Sequence, residues 1–175
     1  DYERWPVGIH FILLALMLIG GCAGSTSGGM KISRLILLVR AASQEIVRAF
    51  RPNQIMRMQV NGNPIDDTAR AQTVLFVALF SLMALGAMVV VAILETGHQI
   101  PDGDVMRVMD FESTVATVLA TFGNIGPGFG LVGPTDTFAH LRPSTHLFLS
   151  LLMVLGRLEL YAVLVLFVPA AWRKY

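Results

Sequence analysis

The chain has 175 residues, of which 54% are apolar and only 14% are charged, with a formal net charge of +1 and one cysteine. A soluble domain has about a quarter of its residues charged, so this deficit excludes a disordered tail and a nucleic-acid-binding module, and the lone Cys22 excludes a disulfide scaffold. The class indicated is an all-α membrane protein, and a start at Asp1, with no initiator Met and no signal-peptide pattern, reads as a piece of a longer chain.

The first apolar run, Val7–Ile19, has 13 residues; it is followed by GGCAGSTSGGMK, Gly20 to Lys31, and then by a second apolar stretch, Ile32–Val39. At about 1.5 Å of rise per residue neither run crosses a bilayer core of about 30 Å alone. Together they make one broken transmembrane helix over residues 1–50, with an intramembrane loop at 20–31 whose polar backbone is satisfied by protein or by a water-filled cavity. The alternative is a helix, a surface loop and a soluble helix. A phosphate loop fails on spacing, because Met30 separates Gly29 from Lys31 and Ile32 follows the lysine. The small residues Gly20, Gly21, Cys22, Ala23, Gly24, Ser25, Thr26, Ser27, Gly28 and Gly29, closed by Lys31, read as a hinge that moves to unblock a path, or as a plain packing break.

Residues 51–70 form a cytoplasmic connection. Ala71–Leu94 is 24 residues without a charge, roughly 36 Å as a helix, which spans a bilayer with some tilt; the helix is expected over 71–95. Between Lys31 and Arg70 there are seven basic and three acidic residues, whereas Glu95 to Glu112 holds five acids and one base. The positive-inside tendency puts the first segment in the cytoplasm and the second outside. There Asp102, Asp104 and Asp110 are expected to concentrate cations at an outer mouth.

Ser113–Phe122 has ten residues, about 15 Å as a helix and half a bilayer, which fits a re-entrant pore helix over 112–122. GNIGPGFG, Gly123 to Gly130, then reads as an extended return. Successive carbonyls of Asn124, Ile125, Gly126, Pro127 and Gly128 can face one axis and dehydrate a cation. Gly126 permits the backbone angles this needs, and the negative end of the preceding helix suits a cation where a phosphate would want a helix N-terminus.

Pro143–Trp172 is the last span, with Trp172, Arg173 and Lys174 as an interfacial collar. Arg157 and Glu159 lie deep within it and project from different faces, so each pairs elsewhere. Arg157 is expected to bond the carbonyls of the 20–31 loop or a carboxylate. His10, His98, His140 and His146 have no metal-ligand spacing, and Cys22 reads as a packing residue. No triad, organic cofactor or enzyme site is indicated.

Three strings, Ile19–Lys31, Gly123–Gly130 and GRLELYAVLVLFVPAAWR from Gly156 to Arg173, resemble the Trk/Ktr superfamily of potassium-uptake proteins, and the Trk membrane subunit more than the Ktr one. The resemblance implies four repeats of helix, pore helix, filter and helix around one path. Residues 1–50 would be the second helix of repeat three, and 71–175 repeat four, with its filter at 123–130 and last helix at 143–172. It implies potassium as the transported ion, held at Asn124 and Ile125, a gating loop at Gly20–Lys31, and Arg157 as a pore-facing, gate-associated residue. It also implies a homodimer in the lipid bilayer of the bacterial cytoplasmic (inner) membrane, with a cytosolic nucleotide-binding regulatory ring. Rival readings are a broken-helix solute or anion carrier, built on helix N-termini, and a non-transporting membrane subunit whose glycines only pack.

Overall fold

A computed structural model of the protein describes residues 2, 5–22, 28–51, 59–60, 63–64, 67–102 and 105–158. Two helices flank the glycine-rich loop: α1 (Val7–Leu18) and α2 (Ile32–Phe50). α1 is apolar almost throughout, while α2 carries Arg34, Arg40 and Arg48 among Ile36, Val39, Ile46 and Val47. A short hairpin of β1 (Gln59–Val60) and β2 (Asn63–Pro64) lies in the basic connection.

α3 (Asp67–Leu94) has 28 residues, and among the described residues it is the one helix long and apolar enough to cross a membrane. It begins four residues before the uncharged run, because its first turn, Asp67 to Arg70, is polar and invisible to hydropathy. Phe76, Phe80, Ala84, Ala87 and Val91 recur at helical spacing and are buried, while Leu75, Leu82, Leu85, Val89 and Ile93 are exposed on other faces. Beyond α3 the expected acidic loop contains an antiparallel hairpin, β3 (Gln99–Asp102) with β4 (Val105–Val108), in which buried Ile100 faces Arg107.

α4 (Phe111–Phe122) is the centre of the fold and packs on α1, α3 and a 3-10 turn at Gly130–Val132. From Ser113 to Phe122 every residue except Val115 is buried. Asp110 caps it by accepting the Ser113 N–H at 2.9 Å. This acid, read from the sequence as part of an outer mouth, is occupied by the helix it starts. A second 3-10 turn, Phe138–His140, leads to α5 (Pro143–Arg157), which also packs on α4. Residues 159–175, including Glu159 and most of the expected second half of the last helix, lie outside the described residues.

The start of α5 is fixed from α3. Glu95, 2% exposed, accepts the Arg142 N–H at 2.9 Å and the Thr145 hydroxyl through Oε1. A carboxylate just past the end of α3 thus satisfies donors at this N-terminus, where Arg142 makes no side-chain cap. At the other end of the core, Phe122 stacks on Phe80 at 4.4 Å, Phe80 on Phe76 at 6.1 Å, and the Arg34 guanidinium lies 3.9 Å from the Phe76 ring centre. This column joins α2 and α3 to the last residue of α4.

Candidate ion-pathway site

The short buried helix α4 delivers its C-terminal end to a tight turn. Gly123 N–H bonds Leu119 O at 2.9 Å, Asn124 N–H bonds Thr121 O at 3.1 Å, and Ile125 N–H bonds Ala120 O at 2.9 Å. The last-turn carbonyls are therefore largely engaged, and the chain leaves them through a turn into an irregular segment. Asn124 sits at φ 51, a left-handed conformation that Asn tolerates better than most residues. Its side-chain amide donates to Met153 O at 3.0 Å, tying the turn to α5.

Ile125, Gly126 and Pro127 are exposed, whereas Gly128 and Phe129 are buried. Two cavities flank this strand. One of about 460 Å³ is lined by Asn124, Ile125, Gly126, Met153 and Arg157, among others. The other, of about 320 Å³, is lined by Leu13, Met17, Gly20, Ile125 and Pro127, among others. Two glycines of the return are required for different reasons. Gly126 has φ +124 with open space around a Cβ, so its requirement is conformational. Gly128 has no room, since a Cβ would sit 2.8 Å from Val132 Cγ2 and 3.2 Å from Ala116 Cβ.

The glycine loop closes on itself and on this turn. Ile32 N–H bonds Gly21 O at 3.2 Å, and a Cβ on Gly20 would meet Gly28 O at 2.8 Å. Gly28 is buried, with Asn124 Nδ2, Gly156 O and Gly123 O at 2.8, 3.0 and 3.1 Å from its Cβ position. The returning arm of the loop therefore rests directly on the base of the strand.

A family model described as a cation transport protein, TrkH, matches residues 1–174. The chain belongs to the TrkH family. It is 36% identical over 171 residues to the Trk system potassium uptake protein TrkH of Salmonella typhimurium, covering 98% of this chain and 32% of that protein. The corresponding protein of Escherichia coli K12 is 35% identical over 171 residues, covering 98% of this chain and 32% of its own length. The crystal structure of the potassium transporter TrkH from Vibrio parahaemolyticus superposes with a TM-score of 0.81 at 30% identity, over 98% of this chain and 34% of that one. The chain thus spans about a third of the length of these relatives. The fold is that of an all-α membrane transport protein, with short hairpins confined to connections.

In this TrkH-family chain the structure brings Gly20, Gly28, Gly29, Asn124, Ile125 and Gly126 into one region, with Arg157 on the wall of the larger cavity. Gly29 has φ +80 and its Cβ position lies 3.7 Å from Gly123 Cα. Gly21 supplies the neck carbonyl, Cys22 is exposed, and Lys31 is the residue before α2. Ala23, Gly24, Ser25, Thr26 and Ser27 lie outside the described residues.

Sequence reasoning missed Gly156, whose Cβ would lie 1.9 Å from Phe122 O. An isolated glycine inside an apolar helix was the available signal. It also missed Ser113, whose hydroxyl accepts the Leu131 N–H at 3.1 Å and steadies the far end of the return. The four histidines share one role. His98, His140 and His146 each place Nε2 within 3.0 Å of a carbonyl, on His140, Leu131 and Phe138 respectively, and His10 Nε2 lies 3.1 Å from Tyr2 O. A carbonyl only accepts, so Nε2 carries the hydrogen in each.

Proposed function

We propose that this chain is the filter-and-gate portion of a multi-pass potassium-uptake protein of the bacterial cytoplasmic membrane. Potassium is the transported substrate. It passes the backbone carbonyls of the Asn124–Gly128 strand, with Asn124 and Ile125 as ion ligands, and the Gly20–Lys31 loop obstructs the path beneath them. The observation that carries this reading is the exposed Ile125–Pro127 strand, set between two cavities at the end of a buried half-length helix. Relatives named as potassium uptake proteins supply the ion.

A cation is favoured over an anion on electrostatic grounds. The helix end presented to the strand is a C-terminus, which is negative. At the opposite end of α4 the Ser113 N–H is already held by Asp110, which leaves a carboxylate where an anion would have to bind. Arg157, on the wall of the cavity that Asn124 and Ile125 line, is the gate-associated residue in this reading. The family resemblance extends the proposal to a homodimer regulated by a cytosolic nucleotide-binding ring, and to the four-repeat arrangement of which residues 71–175 are the last.

The test is Rb⁺ uptake by the full-length protein in potassium-starved cells, with and without Gly126→Ser. A side chain at φ +124 costs about 1–3 kcal/mol of backbone strain and shifts the neighbouring carbonyls. The variant is expected to lower the Rb⁺/Na⁺ uptake ratio by about tenfold. An unchanged ratio in a normally inserted variant rejects the filter assignment.

A further inference from the structure

The strand that follows α4 treats its carbonyls in two ways. Ile125, Gly126 and Pro127 are exposed, but Gly128 is buried and both of its backbone polar groups are occupied. Its N–H donates to Val132 O at 2.8 Å. Its carbonyl accepts the hydroxyl of Tyr2 at 2.6 Å, across 126 residues of sequence. That length is at the short end for an O–H···O bond.

Tyr2 is itself held in place. Its ring meets buried Phe129 edge-on at 5.2 Å, the His10 ring lies 5.2 Å from the same Phe129, and His10 Nε2 donates to the Tyr2 carbonyl at 3.1 Å. The hydroxyl therefore comes from an aromatic cluster on the α1 side, where Tyr2 and Phe129 also line the smaller cavity, and not from a freely turning surface tyrosine.

We propose that Tyr2 is a positioning residue for ion selection. Its hydroxyl turns the Gly128 carbonyl away from the ion, so that the row of oxygens this strand offers a cation ends at Pro127. The inference rests on the filter reading above and narrows it. Selectivity depends on how many carbonyl dipoles surround the ion and how firmly they are held. The Gly128 carbonyl lies in the peptide shared with buried Phe129, and the Tyr2 hydroxyl is the donor that holds its oxygen. Without the hydroxyl the buried carbonyl lacks a partner, and the peptide rotates toward water or the ion. The strand then offers one ligand more, less firmly held.

Tyr2→Phe removes the bond and keeps the ring. In the full-length protein, reconstituted in vesicles, it is expected to insert like the wild type. Its preference for Rb⁺ over Na⁺ should fall about three- to tenfold, the ratio that corresponds to one net hydrogen bond. A merely structural role for Tyr2 would lower the amount of inserted protein and leave that preference unmoved. An unchanged preference in inserted Tyr2→Phe overturns the proposal.

A second measurement needs no variant. In the wild type, replacing K⁺ by Na⁺ should move the carbonyl ¹³C resonances of Ile125 and Gly126 and leave that of Gly128 in place. A Gly128 resonance that moves with Gly126 also overturns it, and this readout decides should Tyr2→Phe fail to insert. If no carbonyl in the strand responds and the wild type does not discriminate, the filter reading itself fails and Tyr2's role fails with it.

Discussion

At the scale of single residues, the site is set by atoms that are missing. Gly156 lets α5 approach the end of α4 so closely that a Cβ would fall 1.9 Å from Phe122 O. That obstacle is backbone, which cannot swing aside as a long side chain does. Gly156→Ala therefore pushes α5 off α4 and carries Met153 O away from the Asn124 amide. Overpacking of this kind costs about 1–3 kcal/mol, so a lower melting temperature of the full-length protein is expected, together with a reduced Rb⁺/Na⁺ ratio. Gly86→Ala is the contrasting variant. Gly86 lies within α3 and has nothing within 4 Å of its Cβ position. There the gain in helix propensity, about 1 kcal/mol, should leave thermal stability equal or higher. Equal losses in the two variants would mean that the close approach has no consequence.

The candidate site Asn124 to Gly128 was read from the sequence as one unit, without its internal division. Close packing at Gly128 and left-handed backbone at Gly126 both select glycine, and one letter cannot say which. Tyr2 was out of reach for another reason: nothing in a sequence pairs a hydroxyl with a carbonyl 126 residues away. Glu95 has the same origin, since its role as a cap for α5 exists only once α3 and α5 are side by side.

At the scale of elements, the long uncharged run and the half-length apolar helix were legible because hydropathy and length report them directly. The β3–β4 hairpin was not. Pro101 argues against a strand interior, and the acids around it favour a solvated loop. Asp110 of the expected acidic mouth also caps α4, and it stays exposed, so the cap leaves its charge at the surface.

A testable ionic contact joins two elements, α2 and α3. Glu45 lies on α2 beyond its apolar stretch and accepts a hydrogen bond from Arg70 of α3, with Arg48 at 3.6 Å on its other side. The Arg70 hydrogen bond, more than the charges of Arg70 and Arg48, holds the Glu45 carboxyl below the usual glutamate range. A depressed carboxylate adds stability above its unfolded value and loses it as pH falls through the folded one. The clasp should thus be complete at neutral pH and release only in acid, below the ordinary glutamate range. Spin labels on α2 and α3 should report a distance that lengthens over that window. Glu45→Gln should show the lengthened distance at every pH. The effect is local, because an exposed pair contributes little to global stability.

At the scale of the molecule, the broken helix, the strand and the last helix meet at one place. Gly28 touches Gly123, Asn124 and Gly156 together, so the loop cannot move without uncovering the base of the strand. Both ends of the loop are pinned, through Ile32 N–H on Gly21 O and the contact of Gly20 with Gly28 O, and the sequence between them, residues 23–27, lies outside the described residues. Deleting Ser25 to Ser27 removes three residues of the loop sequence and leaves the pinned neck residues intact. If the loop obstructs the path, K⁺ flux per inserted protein should rise severalfold and lose its dependence on the regulatory ring proposed above. The Rb⁺/Na⁺ ratio should stay near the wild-type value, because no residue of the 124–128 strand has been touched. Arg157→Ala, on the wall of the cavity beside Asn124, should raise flux in the same direction. Gating and selection are then separable, with Tyr2→Phe changing the ratio and the loop deletion changing the flux. A deletion that inserts normally yet leaves flux unchanged and still regulated would make the loop a packing break, with the gate to be sought elsewhere on the path.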